Sequence, residues 1–165
     1  MTTAAMQFIV AEDDASPRAD GNVAVEAGTT ALIDWSEWLR LRADWPADLR
    51  ASVALPNDLD IDETLADLGR FGRIALRFPK WTDGRAYSQA RLLRVRHRFT
   101  GELRAMGDVI ADMAAQLHRT GFDAAVLRPG ESVEVAQRML GLIRVFYQGD
   151  AHERRLRFAR VEATA

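Results

Sequence analysis

No cysteine occurs among the 165 residues. That excludes disulfides, thiol nucleophiles and cysteine-ligated zinc or iron–sulfur clusters, and it fits a reducing cytosol. Lysine is nearly missing too. Lys80 stands alone among 22 Lys and Arg residues, a bias of composition rather than of design. The opening, MTTAAMQFIVAEDD, lacks the basic start and long apolar run of a secretory signal. No window approaches the roughly 18 apolar residues of a membrane span. A cytoplasmic protein with no membrane contact is therefore expected.

Chemical fingerprints are missing as well. No G-x-G-x-x-G follows a strand, so the usual dinucleotide site is not expected. There is neither a Walker A loop nor a G-x-S-x-G elbow. His97, His118 and His152 lie far apart, and none falls at metal-ligand spacing. Two of them, His97 and His118, sit on expected helices, where a surface or satisfied-core role is the simpler assignment. The run Asp58-x-Asp60-x-Asp62-Glu63 loosely resembles a calcium loop but lacks its glycine and spacing. No metal and no cofactor are expected, and no catalytic residue is assigned.

Charge is present but unevenly spread. Residues 1–72 carry 5 Arg against 14 acids, whereas residues 73–128 carry 10 Arg and Lys80 against 5 acids. The basic middle could attract an anionic ligand or an acidic partner. Pairing with the acidic first part inside one fold is the simpler alternative. With a formal net charge of −2, nucleic-acid binding is not expected.

The chain reads as a weakly ordered segment over 1–30, one α/β domain over 31–150 and an Arg-rich tail over 151–165. Expected strands are Gln7–Ala11, Ser52–Leu55, Arg73–Phe78, Glu102–Met106, Ala124–Leu127 and Val145–Tyr147, with a short apolar run at Ala31–Ile33. Polar residues with Pro17 and Gly21 make Glu12–Asn22 a loop. Helices are expected over Ser36–Arg42, with Ser36 as N-cap, and over Asp60–Leu68, stopped by Gly69. Others are expected from Thr82 or Asp83 to about Arg98, from Asp108 as cap through Thr120 to Gly121, and from Ser132 through Leu142. Short strands alternating with longer helices predict βαβ units. The expected architecture is a mainly parallel sheet of four to six strands with helices on both faces; a partial β/α barrel is the alternative.

Ligands of parallel α/β folds bind at the carboxyl ends of the strands. Those ends are Pro56-Asn57-Asp58, Pro79 to Arg85, Gly107-Asp108 and Arg128-Pro129-Gly130. The segment FPKWTDGRAYSQARLLR over Phe78–Arg94 is the densest in polar groups. Lys80 and Arg85 flank a turn made by Asp83-Gly84. Tyr87, Ser88 and Arg91 follow along the helix, and helix N-terminal amides with basic side chains suit an anion. The plainer account makes Asp83-Gly84 and Gly107-Asp108 a turn and a helix cap.

These residues, with TGELRAMGDV over Thr100–Val109 and the helix ending in His118-Arg119-Thr120-Gly121-Phe122-Asp123, resemble the bacterial family "domain of unknown function 934". Its members are described as probable oxidoreductases of sulfite reduction and are commonly encoded beside the sulfite reductase hemoprotein. The resemblance covers most of the chain. Trp81 and Thr120 depart from it, standing where phenylalanine and cysteine are frequent. It implies a place in sulfur assimilation, as an accessory protein binding sulfite reductase, its electron donor or a small anion. Lys80, Arg85, Arg91 and Arg104 would then supply charge, with Tyr87 and Ser88 as hydrogen-bond donors; Asp83, Gly84 and Asp108 are the further ligand-binding candidates. A true oxidoreductase would need a flavin or nicotinamide bound without the usual glycines. An acid–base enzyme acting through Lys80 or Asp83 on a small anionic substrate is the remaining alternative.

Overall fold

The computed structural model describes residues 6–11, 31–142 and 147–152. Six parallel strands form one open sheet: β1 (Gln7–Val10), β2 (Leu32–Asp34), β3 (Ala51–Leu55), β4 (Phe71–Phe78), β5 (Glu102–Gly107) and β6 (Ala124–Leu127). Their order is β1-β6-β5-β4-β3-β2. From β2 onward each strand is laid beside the previous one, always in the same direction. Right-handed crossovers repeated in one direction put every connecting segment on the same side of the sheet.

Burial agrees with that geometry. Registered rows such as Ile33, Val53, Ile74 and Leu103 point into one large core. They meet Trp38 of α1 (Trp35–Leu41), Ala86 and Ala90 of α2 (Arg85–Arg91), Leu117 of α3 (Ala114–Thr120) and Ala136 of α4 (Val133–Leu142). The opposite face has a small cluster of strand residues alone, Leu32, Ala54, Ala75 and Met106. Winding in one direction is the habit of a barrel, yet β1 and β2 stay at opposite edges and the sheet does not close. Strands buried on both faces read as apolar runs such as Ala-Ala-Val-Leu in β6.

Several local expectations are corrected. The segment Asp60–Leu68 is not an α-helix but two 3₁₀ turns, Ile61–Thr64 and Leu68–Arg70. Asp60 turns its carboxylate onto the Asp62 amide at 3.0 Å, and the Thr64 hydroxyl donates to Ile61 O at 2.8 Å. Side-chain bonds to nearby backbone compete with helix propagation, and Gly69 lies inside the second turn. Asp34, not Ser36, occupies the N-cap of α1. Gly84 precedes α2 in place of Thr82 or Asp83, and the helix continues as a π-helical turn over Leu92–Arg96. Asp108 caps no helix. The chain stays extended at Ile110, turns through Ala111–Met113 and only then enters α3.

Gly121 does end α3, in the left-handed region at φ 104°. The Ser132 hydroxyl accepts from the Val135 amide at 3.2 Å, capping α4 as expected. The loop expected over Glu12–Asn22, most of the strand expected over Val145–Tyr147 and the tail beyond His152 lie outside the described residues.

Candidate functional site

Parallel strands deliver their following loops to one rim, and side chains there stitch four successive loops together. The Asn57 amide Nδ2, after β3, donates to Asp83 Oδ2 at 2.7 Å. After β4, the Asp83 amide donates to Lys80 O at 2.9 Å, closing the turn. The Trp81 amide then donates to Asp108 Oδ2 at 2.9 Å, tying this loop to the end of β5. Beyond β6, Arg128 Nη1 donates to Asp108 Oδ1 at 2.9 Å and Arg128 Nε to Glu131 Oε1 at 3.2 Å. Glu131 Oε2 accepts the Ala111 amide at 2.9 Å. Gly107 permits the corner: its φ is 102°, and a Cβ there would overlap the Phe78 carbonyl.

The charges on this rim compensate each other. Arg85 holds Asp83 through Nε to Oδ1 at 3.1 Å and Nη2 to Oδ2 at 2.7 Å. These bonds, then the Arg85 amide, lower Asp83 to about 2, with Asn57 contributing less. The Trp81 amide and then the Arg128 guanidinium lower Asp108. Arg85 and Arg128 are raised in return by their carboxylates. Tyr87 packs its ring edge-on to Phe78 at 5.1 Å, and burial pushes its phenol up to about 12. A carboxylate fixed that low and a phenol fixed that high are poorly matched to proton transfer near neutral pH.

Lys80, Asp83, Gly84, Arg85 and Asp108 thus share the rim. Ser88 and Arg91 are exposed on α2, leading away from it. Arg104 is elsewhere. It lies on the second face of the sheet, in register with Ala75 and Ala124, about 10 Å below the end of β5 at the rise of a strand. There it donates to Glu102 Oε1 at 2.6 Å, and Glu102 Oε2 lies 3.1 Å from Arg73 Nε.

Sequence reasoning named Asn57 and Arg128 as loop residues without seeing them as part of the network. Gln89 was missed outright; its buried amide donates to Pro56 O and Leu59 O at 2.9 Å each, holding the β3 loop to α2. Trp81 was noted only as a departure from the family pattern, although the residue is 52% exposed on this tied-down loop. The Lys80 side chain beside it forms no hydrogen bond or ion pair among the described residues.

The remaining motif residues build the opposite end of the sheet. Arg94 donates Nε to Gly121 O at 2.8 Å and Nη1 to Phe99 O at 2.6 Å and Gly101 O at 2.8 Å. It also pairs with Asp123, which accepts the Leu103 amide at 2.8 Å. Beneath β3 and β4, buried Asp67 accepts from Trp38 Nε1 at 3.0 Å, Arg42 Nη1 at 3.2 Å and Arg70 Nη1 at 3.3 Å. Among the described residues no cluster of three His, Asp or Glu is placed to hold a metal ion, and no helix is long and apolar enough to cross a membrane.

The model of a bacterial protein family of unknown function, DUF934, matches residues 52–158. The chain belongs to this family. The match runs from β3 through the whole rim and the Arg94–Asp123 contacts at the opposite end of the sheet. No curated protein matches the chain.

Proposed function

We propose that this family member is an accessory protein of assimilatory sulfite reduction that docks sulfite reductase on the rim of β3 to β6. The process comes from the family resemblance, whose members are commonly encoded beside the reductase hemoprotein. The mode of action comes from the rim. The observation that carries it is the Lys80-Trp81 pair: a half-exposed indole and an unpaired ammonium on a loop held by Asp108 and Asp83. Burying an indole on a preorganised loop costs little conformational entropy, and tryptophan is enriched where binding energy concentrates. The rim carboxylates, by contrast, are occupied by arginines and amides, which favours docking over acid–base catalysis.

The test is retention of the reductase hemoprotein on the immobilised full chain. Binding at micromolar concentration is expected, weakened about 30-fold or more by Trp81→Ala, in line with loss of a buried aromatic anchor. No retention by the wild-type chain would remove the proposal. A purified protein with flavin absorbance would replace it with the oxidoreductase.

A further inference from the structure

After α4 the chain comes back to the C-terminal end of α3. There the Ala151 amide donates to Arg119 O at 2.9 Å, and Arg119 Nη2 donates to Gln148 O at 3.4 Å. The His152 ring stacks on His118, with centroids 4.3 Å apart and planes 24° from parallel. His152 Nε2 lies 2.9 Å from His118 O, and the His152 amide donates to Asp150 Oδ1 at 2.9 Å. Gly121 leaves room for this return, since a Cβ there would sit 3.2 Å from that of Ala151. Nothing in the rim involves these residues.

We propose that the His118–His152 stack is an acid-sensitive clasp, which holds Tyr147–His152 on the end of α3 near neutral pH and releases it on acidification. Two imidazolium rings cannot share a face-to-face stack without repulsion, so docking disfavours full protonation. Desolvation and then the neighbouring His152 lower the proton affinity of His118, against weaker pulls from Asp150 and Asp123. Arg119, with Nε 3.9 Å from Asp150, and Arg94, seated on Gly121, add positive charge nearby. On α4, packed beside α3, Glu134 accepts from the Ser132 hydroxyl, and among the described residues neither it nor Arg138 pairs with either ring. The docked form therefore binds fewer protons than the released form. Its advantage is complete above the free histidine range and shrinks as pH falls through about 6.5. The residues that follow the clasp in sequence include Arg154, Arg155, Arg157 and Arg160.

The test is amide hydrogen exchange of the full chain, read at Ala151 and corrected for intrinsic rates, between pH 7.5 and 5.5. Protection is expected to fall severalfold across that range, because the released form takes up protons that the docked form does not. In His118→Phe/His152→Gln, which keeps a flat ring and a donor to the carbonyl, Ala151 protection should stay level across that range while the Leu103 amide is unaffected. Should that variant not fold, the wild-type His118 ¹³Cε1 titration decides. A midpoint below the free value supports the clasp; a midpoint at or above it, or level wild-type Ala151 protection, overturns it.

Discussion

Arg94→Ala should be the most damaging single change away from the main core. The guanidinium spans three backbone carbonyls, those of Phe99, Gly101 and Gly121, which close the entries to β5 and β6. A net hydrogen bond contributes about 1 kcal/mol, and more with a charged donor. Water can reach vacated carbonyls at this edge, so about 3 kcal/mol is the appropriate loss for the three. The pair with Asp123 adds at most about 0.5 kcal/mol, because that carboxylate's side chain is 48% exposed. The guanidinium also lies 5.7 Å from the Phe99 ring centre, a contact of about 0.5 kcal/mol. The loss is therefore about 4 kcal/mol, a large part of the stability of a domain this size. With a urea slope of about 2 kcal/mol/M, the denaturation midpoint should fall by about 2 M at unchanged slope. Arg94→Lys, a point charge without the fork, should lose about half as much. A midpoint for Arg94→Ala within about 0.3 M of wild type would refute the assignment of this arginine as a staple.

Two further outcomes concern the scaffold. Burial alone would raise Asp67, but the hydrogen bonds from Trp38, Arg42 and Arg70 outweigh it, so its carboxyl is lowered. Its contribution is thus complete above the unfolded carboxylate range, near pH 4, and disappears as pH falls through the lower native value. Asp67→Asn should reduce stability at pH 7 and flatten the acid limb of a pH–stability curve. An unchanged acid limb would count against that ion cluster. Gly107→Ala forces a side chain into the left-handed region and against the Phe78 carbonyl. It should cost about 2 kcal/mol or more, seen as a lowered melting temperature, together with weaker reductase retention because the Asp108 corner shifts.

How much of this was legible in the sequence follows from the range of each interaction. Five of the six expected strands proper lay where apolar runs placed them in the described residues, because each buried strand must present apolar residues to the core. The Pro79–Arg85 and Gly107-Asp108 loops were legible as neighbours at one rim, since parallel pairing alone brings strand ends together. Gly121 and Ser132 were legible as caps because capping is local.

Tertiary structure decided the rest. Asp108 precedes an apolar helix and looked like its cap. The carboxylate instead bonds the Trp81 amide and Arg128, 27 and 20 residues away in sequence. Arg104 looked like a rim cation because its motif also holds Asp108, but strand alternation and rise set it on the other face, paired with Glu102. Helices were expected on both faces, whereas the buried helix residues described here gather in one core, a consequence of strand order that no local pattern encodes. Composition, periodicity and caps act over a few residues, so one sequence reveals them. Strand order, and the choice of partner each charged group makes across the sheet, exist only once the chain has closed on itself.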